Sequence, residues 1–348
     1  MRNQYFLVHP LHTVSAISTL KNQTISPGWL IVCLISALYL SGCATAPQWP
    51  TTEAGIPVKG LDHRQRLQTV PFYPQERYQC GPAALAMMLN TQGYQTSPEA
   101  LKDRVYLPER HGTLQVELVS AARDYNLVVY PLAKDVKALM QEVAAGHPVL
   151  VMQNLRLDWW PQWHFAVVIG FDPQSRSLIL NTDTRHANEQ PLTVFMNTWK
   201  RADQWAVVML PPDELPATAE PLAFLKAVHD LESTGHLDAA YQAYKHAASV
   251  WPDQPAALFG QGNIAYQQEH WDTASMHFQT LVRKFPELAS GWNNLAYTLL
   301  KQGCGNAAER AAACAAKLDN KRFDGVLDET TTTLHGKTDQ CPVLICPN

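Results

Sequence analysis

Basic residues are few and scattered. The 348-residue chain holds 27 Lys and Arg against 31 Asp and Glu, a formal net charge of -4, and nowhere do its cations cluster among aromatics. A phosphate backbone is bound through such clusters, so nucleic acid is excluded as a partner. The paired-ligand motifs of metal sites are also missing, with no His-Glu-x-x-His and no Cys-x-x-Cys. Cys80, His164 and Asp183 have donor atoms suited to zinc but lack that spacing, and no cofactor is expected. The apolar run from Trp29 to Leu40 falls short of the roughly 20 residues that a membrane helix needs.

That short run sits in a different context. Arg2 and Lys21 precede it, and it ends in Leu40-Ser41-Gly42-Cys43. A basic start, an apolar stretch and small residues before a cysteine form the pattern of a bacterial lipoprotein signal. Residues 1–42 are then a leader, Cys43 takes lipid and residues 43–60 are a tether. Ala44 after the cysteine resembles the sorting signal for the outer membrane, which puts the chain on its periplasmic side. The alternative is an uncleaved anchor helix.

Cysteine usage fits export. Of Cys33, Cys43, Cys80, Cys304, Cys314, Cys341 and Cys346, one leaves with the leader and one is lipidated. The last four fall into two close pairs. In an oxidising compartment Cys304 with Cys314, and Cys341 with Cys346, are candidate disulfides. Cys80 is left over, as a nucleophile or as an inert buried thiol.

Cys80 lies in Gln75-Glu76-Arg77-Tyr78-Gln79-Cys80-Gly81-Pro82-Ala83-Ala84-Leu85-Ala86. Proline suits a first helical turn, where its missing N–H costs nothing. Cys80 is therefore expected at the amino end of a helix running to about Asn90, where free N–H groups favour a thiolate. Helices are expected again from Ser97-Pro98, over Leu114–Tyr125 and over Val136–Ala145. Four short apolar runs follow, at 149–152, 164–170, 177–181 and 205–210, with a short helix, Leu192–Trp199, before the last. Apolar runs bounded by turn residues read as strands. Helices followed by an antiparallel sheet give an α+β domain over 61–212, and the prolines from Pro211 to Pro221 mark a linker.

The remainder repeats every 34 residues. Ala240, Ala274 and Ala308 share one phase, Pro252 and Pro286 a second, and Phe224, Leu258 and Trp292 a third. Gly235, Glu269 and Gly303 share another, as do Tyr244 and Phe278. The pattern resembles tetratricopeptide repeats, helical hairpins that bury their apolar faces only by stacking. Three units are read, 221–254, 255–288 and 289–322, in an all-α domain over 213–322 with a tail over 323–348. The resemblance implies a surface that docks an envelope protein or peptide.

The α+β segment also resembles a known family. The carriers are Gln75, Tyr78 to Ala86, and His164-Phe165-Ala166-Val167-Val168-Ile169-Gly170. They are similar to C39-like peptidases, a branch of the papain-like cysteine peptidases. The resemblance implies Cys80 as nucleophile, His164 as general base and Gln75 as oxyanion donor, with Gln79 as substitute. The residue orienting the histidine is expected near the end of the third strand. Asn181 and Asp183 are the two candidates, on one face if that strand continues, with Thr182 pointing the opposite way. Asn154, Asp158 and His186 are candidate cleft residues. The expected activity is that of a thiol peptidase or amidase. The rivals are a silent peptide-binding or scaffold lipoprotein and an acyltransferase. The tryptophans Trp159, Trp160 and Trp163 serve either substrate contact or packing.

Overall fold

The computed structural model describes residues 46–51, 58–75, 79–325 and 341–347. The leader, Cys43 and part of the 43–60 tether lie outside the described residues. Past β1 (Gln65–Arg66), three helices come first: α1 (Cys80–Thr91), α2 (Pro98–Val105) and α3 (Gln115–Arg123). Ser97 caps α2, its hydroxyl accepting from the Ala100 N–H at 3.3 Å. Then follow β2 (Val128–Pro131), α4 (Val136–Ala145), β3 (Val149–Asn154), β4 (Trp163–Asp172), β5 (Ser177–Thr182), β6 (Arg185–Pro191), α5 (Leu192–Lys200) and β7 (Ala206–Leu210). The strands form one antiparallel sheet in the order β2-β7-β3-β4-β5-β6, with β1 added against β4.

Side-chain alternation decides the layering. Leu150, Phe165, Val167, Ile169, Val207 and Met209 share a cluster with Ala83–Leu89 of α1 and with Leu118 and Ala122 of α3. Their neighbours Val149, Val151, Ala166, Val168, Val208 and Leu210 face the other way, onto α4 and α5. The sheet is thus covered on both faces, which is why its central strands read as continuous apolar runs. Gly170 is required where β1 crosses β4, because a Cβ there would strike the Gln65 carbonyl.

Two strands carry no apolar signature and were not expected. β6 reads Arg-His-Ala-Asn-Glu-Gln-Pro, lies at the sheet edge, and is defined by its pairing with β5 alone. β1 has only two residues.

The C-terminal part is all helical: α6 (Pro221–Ser233), α7 (Leu237–Val250), α8 (Pro255–Gln267), α9 (Trp271–Lys284), α10 (Ala289–Lys301), α11 (Gly305–Leu318) and the short α12 (Asn320–Phe323). The first helix of each pair starts at 221, 255 and 289, and the second at 237, 271 and 305. Small residues let the helices approach: a Cβ on Gly260 would strike the Tyr244 ring.

The disulfides join other pairs than proximity in sequence suggests. Cys304 bonds Cys341, and Cys314 bonds Cys346. Cys304 begins the last hairpin's second helix and Cys314 lies ten residues along it, so each reaches the returning tail rather than its neighbour. Closing loops of 37 and 32 residues, each stabilises by roughly 3–4 kcal/mol in the chain-entropy account.

The segment after β7 is not a free linker. One apolar cluster runs from the sheet through α4 and α5 into Phe224, Val228 and Leu231 of α6 and on to Ile264 of α8. The Tyr130 hydroxyl donates to the Thr218 carbonyl at 3.3 Å and accepts from the Glu220 N–H at 3.1 Å. Beneath this, Glu142 is fully buried. It bonds His147 Nδ1 at 2.7 Å and accepts from the N–H groups of Ala217 at 3.0 Å and Thr218 at 2.7 Å, while His147 Nε2 reaches Glu214 at 2.9 Å.

Burial opposes the charge on Glu142, but bonds from His147, Thr218 and Ala217 outweigh it and hold the carboxyl below its ordinary value. Burial likewise opposes the His147 charge, and Glu142 and Glu214 outweigh it, so its pKa is raised. A lowered carboxylate stabilises above its unfolded pKa and fails as pH falls through the folded one. A raised histidine stabilises below its unfolded pKa and fails as pH rises through the folded one. The clasp is therefore strongest between the ordinary Glu and His values, about pH 4.3 to 6.5. Glu142→Gln should cost about 3–5 kcal/mol in urea unfolding, with the loss largest in that window. A loss that does not vary with pH would contradict the ionic character of the clasp.

Candidate active site

Every residue of α1 from Gly81 to Leu89 is buried. The Gly-Pro start and the Ala-rich run leave no polar face, so the helix lies against Phe165, Val167 and Ile169 of β4. That contact carries Cys80, its first residue, to the start of the strand that bears His164. The two line one open cleft of about 850 Å³, together with Gln75, Thr113, Phe165 and Asp183. The walls are the 107–114 loop, with Arg110 and His111, and the 155–163 loop, with Arg156, Trp160 and Trp163.

The Cys80 thiol is pushed above its ordinary value by burial, against the stabilising N–H groups of Phe165, Gly81 and Cys80 itself, and the Asp183 carboxylate pushes it further up. Burial holds the His164 imidazole below its ordinary value; Asp183 opposes this and Arg185 adds to it. Burial thus disfavours the charged form of both groups. No hydrogen bond joins the Cys80 sulfur to the His164 ring. The ring is held through Nε2, which lies 2.7 Å from Thr182 Oγ1 and 3.5 Å from Asp183 Oδ1.

The orienting contacts differ from the alternation expected of a continuing strand. Thr182, expected to point away, is the residue that bonds the ring. Asn181 is turned elsewhere, its amide donating to the Pro71 carbonyl at 3.4 Å and accepting from the Ala187 N–H at 3.1 Å. The cause is local: pairing with β6 shifts register between Leu180 and Thr182, β5 ends at Thr182, and Asp183 takes a left-handed φ of 49°. Asp tolerates that conformation better than most residues, and it breaks the two-residue period. Asp183 is also paired to Arg185 at 2.8 Å.

Gln75 is buried at the cleft floor and acts as a brace. Its Nε2 donates to the Phe165 carbonyl at 3.2 Å, its Oε1 accepts from the Asp183 N–H at 3.2 Å, and its own N–H donates to the Asp183 carbonyl at 2.8 Å. Asn154 stands behind the wall, where Oδ1 accepts from the N–H groups of Arg156 at 3.1 Å and Gln162 at 3.0 Å. His186 packs tilted against Phe72, with centroids 5.2 Å apart, and neither it nor Asp158 lines the cleft. Among the described residues no three His, Cys, Asp or Glu side chains are grouped to hold a metal ion.

Residues 67–207 match the family model described as Peptidase_C39 like family. The chain carries a C39-like peptidase domain. An α-helical domain follows it. Among solved structures, a C39-like peptidase from Bacillus anthracis is similar at 19% identity, covering 43% of this chain and 98% of that one with a TM-score of 0.36. A double glycine motif protease from an AMS/PCAT transporter, solved with its leader peptide, is similar at 21% identity over 42% of this chain and 92% of that one, with a TM-score of 0.32. Comparison with curated proteins gives no match.

Sequence reasoning about the C39-like domain missed Thr182, Thr113 and the two wall arginines. A register shift and two loop conformations place them, and no local motif signals either. The electrostatics give a direct test. The Asp183 carboxylate raises the His164 pKa, so Asp183→Asn should move the NMR titration of the His164 ring to lower pH. An unchanged or higher midpoint would contradict the arrangement.

Proposed function

We infer that the protein is a thiol-dependent peptidase or amidase. The observation that carries this reading is the cleft shared by Cys80, at the amino end of a buried helix, and His164, whose Nε2 is held by Thr182 beside Asp183. Held there, the ring keeps Nδ1 for the thiol. Catalytic hydrogen bonds are often long in a ligand-free site and close on binding.

In the proposed reaction Nδ1 takes the Cys80 proton as sulfur attacks the acyl carbon. The oxyanion forms at the N–H groups of Cys80 and Gly81, with the second N–H of the Gln75 amide as a further donor. The imidazolium returns its proton to the leaving amine and leaves an acyl-thioenzyme. Water, deprotonated by His164, then releases the acid and restores the thiol. Asp183 and Thr182 orient the ring, the part a third residue plays in such triads.

The remaining parts of the reading are also proposals. The helix starts at intervals of 34 residues support a tetratricopeptide array that docks an envelope protein or peptide. The sequence before Cys43 supports a lipid anchor at that residue, and Ala44 after it supports a place on the periplasmic side of the outer membrane. One observation favours the rival, a silent peptide-binding module: an N–H of the Gln75 side chain is committed to the Phe165 carbonyl.

Incubation with a peptide library, read by mass spectrometry, separates them. Hydrolysis should occur with the wild type, be lost in Cys80→Ala and fall about a hundredfold or more in His164→Gln. Thr182→Val should lower kcat more than it changes KM. Peptides that bind but stay intact, with no mass added at Cys80, would contradict the enzyme reading.

A further inference from the structure

The cleft walls are cationic in a chain whose net charge is -4. Arg110 ends a single 3-10 turn, Pro108–Arg110, inside a loop closed by the Leu107–Gly112 bridge. Its backbone N–H bonds the Leu107 carbonyl, and its guanidinium has no ion pair or hydrogen-bond partner among the described residues. Across the cleft, Arg156 Nε donates to Gln162 Oε1 at 2.8 Å, and the guanidinium lies 5.8 Å from the centre of the Trp160 ring. Both partners are neutral. Among the described lining residues the only carboxylate, Asp183, is taken by Arg185. Among the described residues, two cations therefore face this space without a counter-charge.

A third feature points the same way. Thr113 is a lining residue of the cleft, and its Oγ1 is buried just behind that surface with no hydrogen-bond partner among the described residues. It presses on Gly81, where a Cβ would collide with it, so it sits beside the nucleophile's turn. A buried hydroxyl left unpaired is costly, and a polar ligand atom would satisfy it. The wall that carries Arg156 is also pre-shaped. Asn154 pins both ends of its loop, and Leu155 donates to the Gln162 carbonyl at 2.9 Å. On that wall Trp160 is 62% and Trp163 52% exposed. Indoles held open to water on a rigid loop are placed for apolar contact.

We propose that the cleft selects peptides bearing an acidic side chain close to the bond presented to Cys80, with an apolar neighbour against Trp160 and Trp163. Arg110 and Arg156 bind the carboxylate from opposite walls, and Thr113 donates to the peptide beside it. The inference rests on the peptidase reading for the fate of the bond, but the selection itself is a property of the walls.

The test uses the full chain carrying Cys80→Ala, so that binding is read without turnover. Pools of acetylated, amidated octapeptides, randomised except for one position fixed as Glu, Gln or Lys, are captured and counted by mass spectrometry. Glu pools should be retained about tenfold or more over Gln pools, since a charge-assisted hydrogen bond is roughly twice as strong as a neutral one. The preference should shrink in high salt and disappear in Arg110→Gln/Arg156→Gln, two surface changes whose effect on folding is checked by thermal melting. Equal retention of Glu and Gln pools, or a preference that survives the double substitution, overturns the proposal. So does binding to phosphatidylglycerol vesicles through the same arginines and tryptophans with no choice among peptides. Glu peptides that bind but are not cut by the wild type would uphold the selection and remove the peptidase reading. Glu and Gln peptides cut equally well would do the reverse.

Discussion

A helix with no polar face has nowhere to go but between other layers. Gly81–Leu89 are buried without exception, and the face of β4 formed by Phe165, Val167 and Ile169 takes them in. Truncating any one of Leu85, Met87, Met88 or Leu89 to Ala would cost about 2–5 kcal/mol. The contact fixes the helix along its length. It thereby sets the position of the one residue at its amino end against the strand that starts at Trp163. The cleft is a consequence of that packing, with loops 107–114 and 155–163 added as walls.

Electrostatics then decides the resting state. Burial disfavours a charged thiol and a charged imidazole alike, and the Asp183 carboxylate favours the imidazolium while disfavouring the thiolate. Burial thus opposes charge separation within the pair. In the proposed mechanism the proton moves as an acyl group is attacked, and the donors around the sulfur then face the negative charge that develops. The ring must already be oriented for that transfer, which is the part the Thr182–His164 bond plays in the proposed mechanism. The same logic appears far from the cleft, where Glu142 and His147 hold the 211–220 segment through charges that burial alone would reject.

Much of this was legible in the sequence because it depends on neighbours along the chain. Gly81-Pro82 before an Ala-rich run marks the start of α1, and β-branched runs mark β3, β4, β5 and β7. The 34-residue interval marks the helix starts. What was not legible depends on contacts through space. β6 is polar and exists by pairing alone. Thr182 reaches His164 because a register shift and the left-handed Asp183 end the strand's alternation, which no residue type announces. The disulfides cross from the last hairpin to the tail, so proximity in sequence pointed to the wrong partners. Arg110 and Arg156 are 46 positions apart, and only the folded loops make them face one cleft.

The account centres on a working relation between Cys80 and His164. The measurement that tests it most directly is the rate at which iodoacetamide alkylates Cys80 as a function of pH, read by adduct mass, in the wild type and in His164→Gln. If the imidazole accepts the thiol's proton, the substitution slows alkylation at neutral pH by about tenfold or more and moves the profile to higher pH, with near-UV circular dichroism unchanged. Superimposable profiles in the two proteins would mean that Cys80 titrates as an isolated buried thiol, and would contradict the account.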